Sequence, residues 1–334
     1  MLAHTPSVSQ ANVRFSTSRC GRMGNMIRTA LKVIGVVLAL AVLGLLFGLG
    51  NAHLSIRREN PPLPDASEVL ALAHAADRPI RLSWIETAHQ CTPGAEEASC
   101  VVHPVFVLEW ADGRLLLVDA GMEADAAQEF GAPMELLLGA APTEPGRSLA
   151  DALGSSRDRV AGLVFTHLHI DHTQGIAGLC PDRAPPLPIF QTPAQAERAN
   201  YTVTPGQRQV EAAPCASSIR VADRGLTSLG DLPGVGVVRA AGHTPGSQMI
   251  VAWVGAEDPR GFVLAGDVVF AKARLDADRP KDLVYRLLVT PENEAQLARV
   301  RAWLRDLETR HGFTAIPSHD RVHLLSLDLP RYEP

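Results

Sequence analysis

The hydrophobic positions of this chain follow three different patterns. The first is unbroken. From Val33 to Gly50 the sequence reads VIGVVLALAVLGLLFGLG, with no charged or strongly polar residue, about the length at which an apolar run spans a bilayer instead of filling a core. The second pattern starts near Ile80. Short apolar or alternating runs such as IRLSWIETA, VVHPVFVLEW, RLLLVDAG and VAGLVFTH predict strands. Ala111–Gly113 (ADG) supplies a hairpin turn between the second and third. LPIFQT, SSIRVAD, VGVVRAAG, QMIVAWVG, GFVLAGD and FTAIPSHD continue the series. The third pattern has helical period. In TPENEAQLARVRAWLRDLETRHG, the residues Leu297, Val300, Leu304 and Leu307 share one face. Thr290 is the expected cap, Pro291 the expected first-turn residue and Gly312 the expected exit. Residues 123–138 are helix-compatible, with Gly131 and Pro133 expected to break them.

These patterns divide the chain into a basic segment 1–32, a membrane-span candidate 33–50, a linker 51–79 and one folded domain 80–334. Interleaved strands and helices make that domain layered α/β. The linker reading rests on IRRENPPLPDAS, charged and proline-bearing. Charge then orients the chain. Residues 1–32 carry Arg14, Arg19, Arg22, Arg28 and Lys32 and no acid. Removing those five from the net −5 leaves the remainder at −10. Basic residues before an apolar span place the N-terminus in the cytoplasm and the body on the extracytoplasmic, periplasmic side. The run exceeds a signal-peptide core of about 7–15 residues, which favours a retained anchor. Secretion after cleavage near GNAHL is the competing expectation, and Met23 or Met26 could be the start. An acidic body also argues against nucleic acid as a partner, because phosphate binding requires a basic face. The oligomeric state is not encoded in any pattern found.

Cysteines fit export. Cys20 precedes the apolar run, while Cys91, Cys100, Cys180 and Cys215 follow it. An even number outside permits disulfides. Cys91–Cys100 with Cys180–Cys215 is the simplest of three possible pairings. No CxxC spacing is present, which disfavours a thiolate zinc site.

The chemistry is concentrated in THLHIDHTQG, Thr166–Gly175, at the end of the strand-like VAGLVF. His167 and His169 lie two apart, so on an extended strand end both reach one ion. Asp171 and His172 follow where the chain must turn and can address a second position. His243 in AAGHTPGSQ, Asp267 in VLAGDVVF and His319 in AIPSHD stand at similar strand-to-loop boundaries. Imidazole and carboxylate suit Zn²⁺, Fe or Mn.

His167-x-His169-x-Asp171-His172, followed by His243, Asp267 and His319, resembles the metallo-β-lactamase superfamily. The resemblance covers residues 119–319 and implies a four-layer αββα sandwich, preceded here by one transmembrane helix. It implies that His167, His169 and His243 hold one divalent ion, that Asp171, His172 and His319 hold a second, and that Asp267 bridges them. Zinc is the leading identity. Two such cations generate hydroxide near neutral pH, and Asp171 beside it is the expected proton carrier. Asp119 in LLLVDAGM, with Thr166 and Asp320, is expected to support the ligands. His4, His53, His74, His89, His311 and His323 match no part of the motif, nor does His103, which alone of these is placed to approach the site.

The bridging Asp267 disfavours β-lactam hydrolysis and favours the glyoxalase II, lactonase and phosphodiesterase branches that carry it. HPVFVLEWADGRLLLVDAGM and PSHD look most like the lactonase branch. Many lactonases place a tyrosine three residues after the bridging aspartate, and here that residue is Phe270, which puts acyl-homoserine-lactone specificity in doubt. Residues 201–214 and 271–285 are candidate pocket walls. The expected function is a metallohydrolase opening a small ester-like bond such as a lactone. The alternatives are thioester or phosphodiester hydrolysis on the same fold, or a binding module that keeps its metals without turnover. A flavodiiron role would call for a flavin domain and a glutamate-bearing motif, and neither is present.

Overall fold

The structure is a computed structural model that describes residues 18–91 and 100–334. It divides into two compact units, one ending at Gly48 and one running from Leu49 to Pro334. In the first unit the helix Ser18–Arg57 begins. Its part from Met26 has a mean hydropathy of 2.7 over its most apolar window and is long and apolar enough to cross a membrane. Along its apolar run Val33, Leu40 and Leu46 are exposed, as lipid-facing residues would be.

In the second unit the described strands form two sheets. The first contains β1 (Arg81–Gln90), β2 (Val101–Glu109), β3 (Leu115–Val118), β4 (Glu144–Pro145), β5 (Val160–Val164), β6 (Leu187–Gln191) and β7 (Ala216–Arg220) in the order β4-β1-β2-β3-β5-β6-β7. The second contains β8 (Leu226–Ser228), β9 (Val235–Arg239), β10 (Gln248–Val254), β11 (Arg260–Gly266) and β12 (Thr314–Pro317) in the order β12-β11-β10-β9-β8. The two short strands β4 and β8 lack a strand-like run and were not expected. Gly113 N–H donates to Trp110 O at 2.9 Å, closing the expected β2–β3 turn.

Alternation along the strands builds the layers. Phe106, Leu108, Leu116, Val118 and Val164 of the first sheet meet Val237, Ile250, Leu264 and Ile316 of the second in a shared core. The opposite face of the first sheet packs Val107, Leu117 and Leu163 on Leu149 and Leu153 of the helix Leu149–Leu153. The opposite face of the second packs Val251, Val263 and Ala315 on Leu297, Val300, Leu304 and Leu307. The result is the expected four-layer α/β/β/α sandwich.

Three local expectations change. The long C-terminal helix runs Glu294–His311, capped by Asn293 and not Thr290; Asn293 Oδ1 accepts from Gln296 N–H at 3.4 Å. Gly312 ends it in the left-handed region, as expected. Residues 290–293 stay outside the helix, and this frees Glu292 for the site described below. The helix Ala124–Leu138 runs unbroken through Gly131 and Pro133; a side chain at Gly131 would collide with Thr143, so packing requires glycine there. The expected linker is packed chain over part of its length. Ala52 and Ile56 are fully buried, Glu59 pairs with Arg239, and Trp303 Nε1 donates to Pro64 O at 2.8 Å.

The structure joins Cys91 to Cys100 and Cys180 to Cys215, the simplest of the three pairings.

Candidate metal centre

Every expected site residue stands at a C-terminal strand end. β3 delivers Asp119; β5 delivers Thr166, His167 and His169; the short helix Ile170–Thr173 then carries Asp171 and His172. β9, β11 and β12 deliver His243, Asp267 and His319. The two sheets thus meet at one rim. Gln248 ties them beneath it, its Nε2 donating to Phe165 O at 2.9 Å and its backbone N–H to Thr166 O at 2.7 Å. Close approach is built in: a Cβ on Gly206 would lie 2.3 Å from Leu168 O, so the helix Thr204–Ala212 can press on the histidine loop only with glycine there. This helix occupies most of one of the two segments expected to wall the pocket.

The seven side chains converge in clusters. His167, His169 and His243 form one group with ligand atoms within 4.8 Å of one another, and His167, His172 and Asp267 form another. His169 Nδ1 lies 2.9 Å from His167 Nε2 and 3.2 Å from His243 Nε2. Asp267 stands between the halves. Its Oδ2 is 3.6 Å from His243 Nε2, and its Oδ1 is 3.1 Å from His319 Nε2 and 3.6 Å from His172 Nε2. Asp171 Oδ2 is 3.4 Å from His319 Nε2. Ligands at 2.0–2.1 Å around a tetrahedral ion are separated by about 3.4 Å, close to these spacings. His172 Nε2 and Asp267 Oδ1 are buried without an aligned hydrogen-bond partner, an arrangement that is costly unless a cation satisfies them. The donor set fits divalent metal.

The outward nitrogens of the rings are held. His172 Nδ1 meets Asp119 Oδ2 at 2.8 Å, His319 Nδ1 meets Val102 O at 2.8 Å, and His243 Nδ1 meets Glu292 Oε1 at 2.6 Å. Each acceptor fixes the proton on the outer nitrogen, so the lone pair of Nε2 faces the cluster. Asp119 is itself fixed by Thr166, whose N–H and Oγ1 donate to it at 2.7 and 2.8 Å. Asp119 and Thr166 therefore support the ligands as expected. Asp320 does not touch them. Its carboxylate accepts from His323 N–H at 3.0 Å and Lys272 N–H at 2.6 Å, capping a helix and pinning a loop.

Sequence reading missed Glu292 and Lys281. Lys281 is fully buried, and its Nζ donates to Glu292 Oε1 at 2.9 Å and lies 3.9 Å from Asp267 Oδ2. It also sits 4.4 Å above the Phe270 ring, which meets Tyr285 edge-on at 4.9 Å. Neither residue belongs to a spacing pattern; Glu292 read as part of a helix. Of the second candidate wall, residues 271–285, Lys281 and Tyr285 approach the site.

Burial and charge divide the titrating groups. Burial pushes His167 and His169 well below the usual histidine range, and neighbouring imidazoles add to it. His243 is lowered by burial and by Lys281. His172 goes the other way. Burial opposes its proton, but Asp119 and Asp171 outweigh burial and push it up to about 10. His319 is raised as Asp267 overcomes burial. Burial would raise Asp171 and Asp267, yet the surrounding cationic groups hold both below the usual carboxylate range. The centre thus collects ionised carboxylates and favours a compensating proton on His172, a place a metal would take.

Residues 99–326 match the family model of the metallo-beta-lactamase superfamily. No curated protein matches the chain by sequence. Among solved structures, one similar chain is an N-acyl homoserine lactone hydrolase with the product N-hexanoyl-L-homoserine bound at the catalytic metal center, 15% identical with a TM-score of 0.54, covering 75% of this chain and 96% of its own. Another is a quorum-quenching N-acyl homoserine lactone lactonase, 17% identical with a TM-score of 0.51, covering 73% and 93%. At these identities the likeness is one of fold.

Proposed function

Since the chain belongs to the metallo-beta-lactamase superfamily, we propose that it is a membrane-anchored hydrolase that uses two divalent ions, zinc first among them, to open a small ester-like bond such as a lactone. The observation that carries this reading is Asp267, whose two oxygens face the two histidine groups at 3.1–3.6 Å. His167, His169 and His243 would hold one ion, and Asp171, His172 and His319 the other. Bound there, the ions would lower the pKa of a water and polarise the substrate carbonyl. Asp171 would orient that water and pass its proton to the leaving group. Asp119 and Glu292 keep the ring nitrogens aimed inward, so the geometry is set before substrate arrives. Phe270 offers no hydroxyl to the substrate. Its ring meets Tyr285 edge-on at 4.9 Å.

The anchor reading is supported by five basic residues before the apolar run Val33–Gly50 and by two disulfides after it. Both fit a catalytic unit outside the cytoplasm.

The test is metal content of the full chain in detergent, with hydrolysis of a panel of lactones, esters, thioesters and phosphodiesters, beside Asp267→Ala and His169→Ala. Two ions per chain and lactone or ester turnover lost in both variants is expected. Two ions with turnover only of thioesters or phosphodiesters would replace the substrate class. Two ions with no turnover would favour a binding module, and no stoichiometric metal would end the mechanism.

A further inference from the structure

One buried histidine at the rim has no place in the motif. His103 lies on β2 and is only 4% exposed. Its Nδ1 stands 3.3 Å from Asp171 Oδ2 and makes no aligned hydrogen bond. The same oxygen is 3.4 Å from His319 Nε2 and 3.6 Å from His172 Nε2. Three imidazole nitrogens therefore surround one carboxylate oxygen. A single oxygen has about two lone pairs, too few for three donors. The separations also exceed the usual N–H···O distance of about 2.9–3.0 Å. They agree with the edges of a coordination shell, about 3.4 Å for bonds near 2.1 Å. His103, Asp171 and His319 indeed form a group with ligand atoms within 4.8 Å of one another.

The backbone at this side chain is held by its neighbour strand. The β1–β2 register shifts between Glu86 and Ala88, opposite Pro104 and His103. Thr87, the extra residue, donates from Oγ1 to His103 O at 2.8 Å and accepts from Met122 N–H at 3.1 Å. That clamps β2 to the loop after Asp119. Next door, Val102 O holds His319 Nδ1 at 2.8 Å.

We propose that His103 Nδ1 is an additional ligand of the second ion. The inference rests on the two-ion reading above. That position is then surrounded by His103, Asp171, His172 and His319 with Asp267 shared, against His167, His169 and His243 with Asp267 at the first. A crowded shell leaves little room for solvent, so the open place needed for substrate belongs to the first ion.

Cobalt titration of the full chain in detergent tests this, read by d–d absorption and chelator competition in wild type, His103→Asn and His103→Phe. Asparagine keeps an N–H donor near the Nδ1 position but removes the imidazole. Expected is a second Co²⁺ weakened about tenfold or more in both variants, with an altered spectrum and an unchanged first ion. A second Co²⁺ bound by His103→Asn as in wild type would overturn the proposal and leave His103 a hydrogen-bond donor. Loss of both ions together would overturn it in favour of a structural role for β2. Zinc-edge absorption on the wild type needs no variant: six histidines over two ions are expected, and five would refute the assignment. A wild type that takes fewer than two Co²⁺ would instead sink the two-ion reading itself.

Discussion

Asp119→Asn isolates the outer support of the centre with almost no change of shape. Asp119 accepts from Thr166 N–H through Oδ1, and from Thr166 Oγ1 and His172 Nδ1 through Oδ2. Its backbone is left-handed, with φ 63°, a conformation asparagine adopts as readily. In the variant the amide carbonyl can still serve Thr166 N–H. The amide NH₂ then replaces the oxygen that faced His172. Thr166 can rotate its hydroxyl to accept, but His172 can answer only by moving its proton to Nε2. That proton would occupy the lone pair aimed at Asp171 and Asp267, 3.6 Å away. A hydrogen bond to a charged partner contributes about 1.5–3 kcal/mol, and each 1.4 kcal/mol is about tenfold in a binding constant. The second ion should therefore bind about ten- to a hundredfold more weakly, with the first much less affected. Zinc competition against a graded chelator series resolves the two constants. Wild-type affinity at both positions would refute the idea that Asp119 fixes the His172 tautomer.

Protonation gives a second prediction. His172, pushed up to about 10, keeps both ring protons at neutral pH in the metal-free chain, and His319 is raised above the usual histidine range. Binding at the second position must expel a proton from His172, so affinity should rise with pH by about tenfold per unit for each proton released. Calorimetry in buffers of different ionisation enthalpy counts those protons, and a count near zero would contradict the assignment. The same shift has a stability sign: a histidine raised from 6.5 to about 10 stabilises the metal-free fold below pH 6.5, and that contribution is lost as pH rises through about 10. Lys281→Met should destabilise the fold by about 3–5 kcal/mol, because Glu292 is left charged and buried, whereas Lys281→Met with Glu292→Gln should recover part of the loss; urea melts of the two variants decide it, and equal losses would argue against charge as the cause. Replacing Cys180 and Cys215 by serine should cost about 4 kcal/mol for a closed loop of 35 residues, read as a lower melting temperature; an unchanged melt would show that the bond does not constrain the unfolded chain.

The sequence determined whatever depends on local pattern. Alternation along VVHPVFVLEW and RLLLVDAG set their strand character, and the unbroken Val33–Gly50 run set a helix long and apolar enough to cross a membrane. The spacing of His167, His169, Asp171 and His172, with His243, Asp267 and His319 at later strand ends, named the ligand candidates. Their chemistry is carried by residue type, and their placement by the periods of strand and turn. Tertiary structure decided the rest. Glu292 looked like helix because its neighbours favour helix, but Asn293 caps the helix later, and the buried His243 and Lys281 give Glu292 a better partner than the helix would. Gly131 and Pro133 looked like breakers, yet packing against Thr143 holds the helix through them. Asp320 looked like support for the ligands and proved to be a cap. His103 was one unremarkable histidine in a strand until the fold set its Nδ1 3.3 Å from Asp171. Local propensity is worth tenths of a kcal/mol to about 1 kcal/mol per residue, whereas a buried charge left without a partner costs several. Where the two compete, the partner wins, and a partner as far along the chain as His243 is from Glu292 cannot be read from spacing.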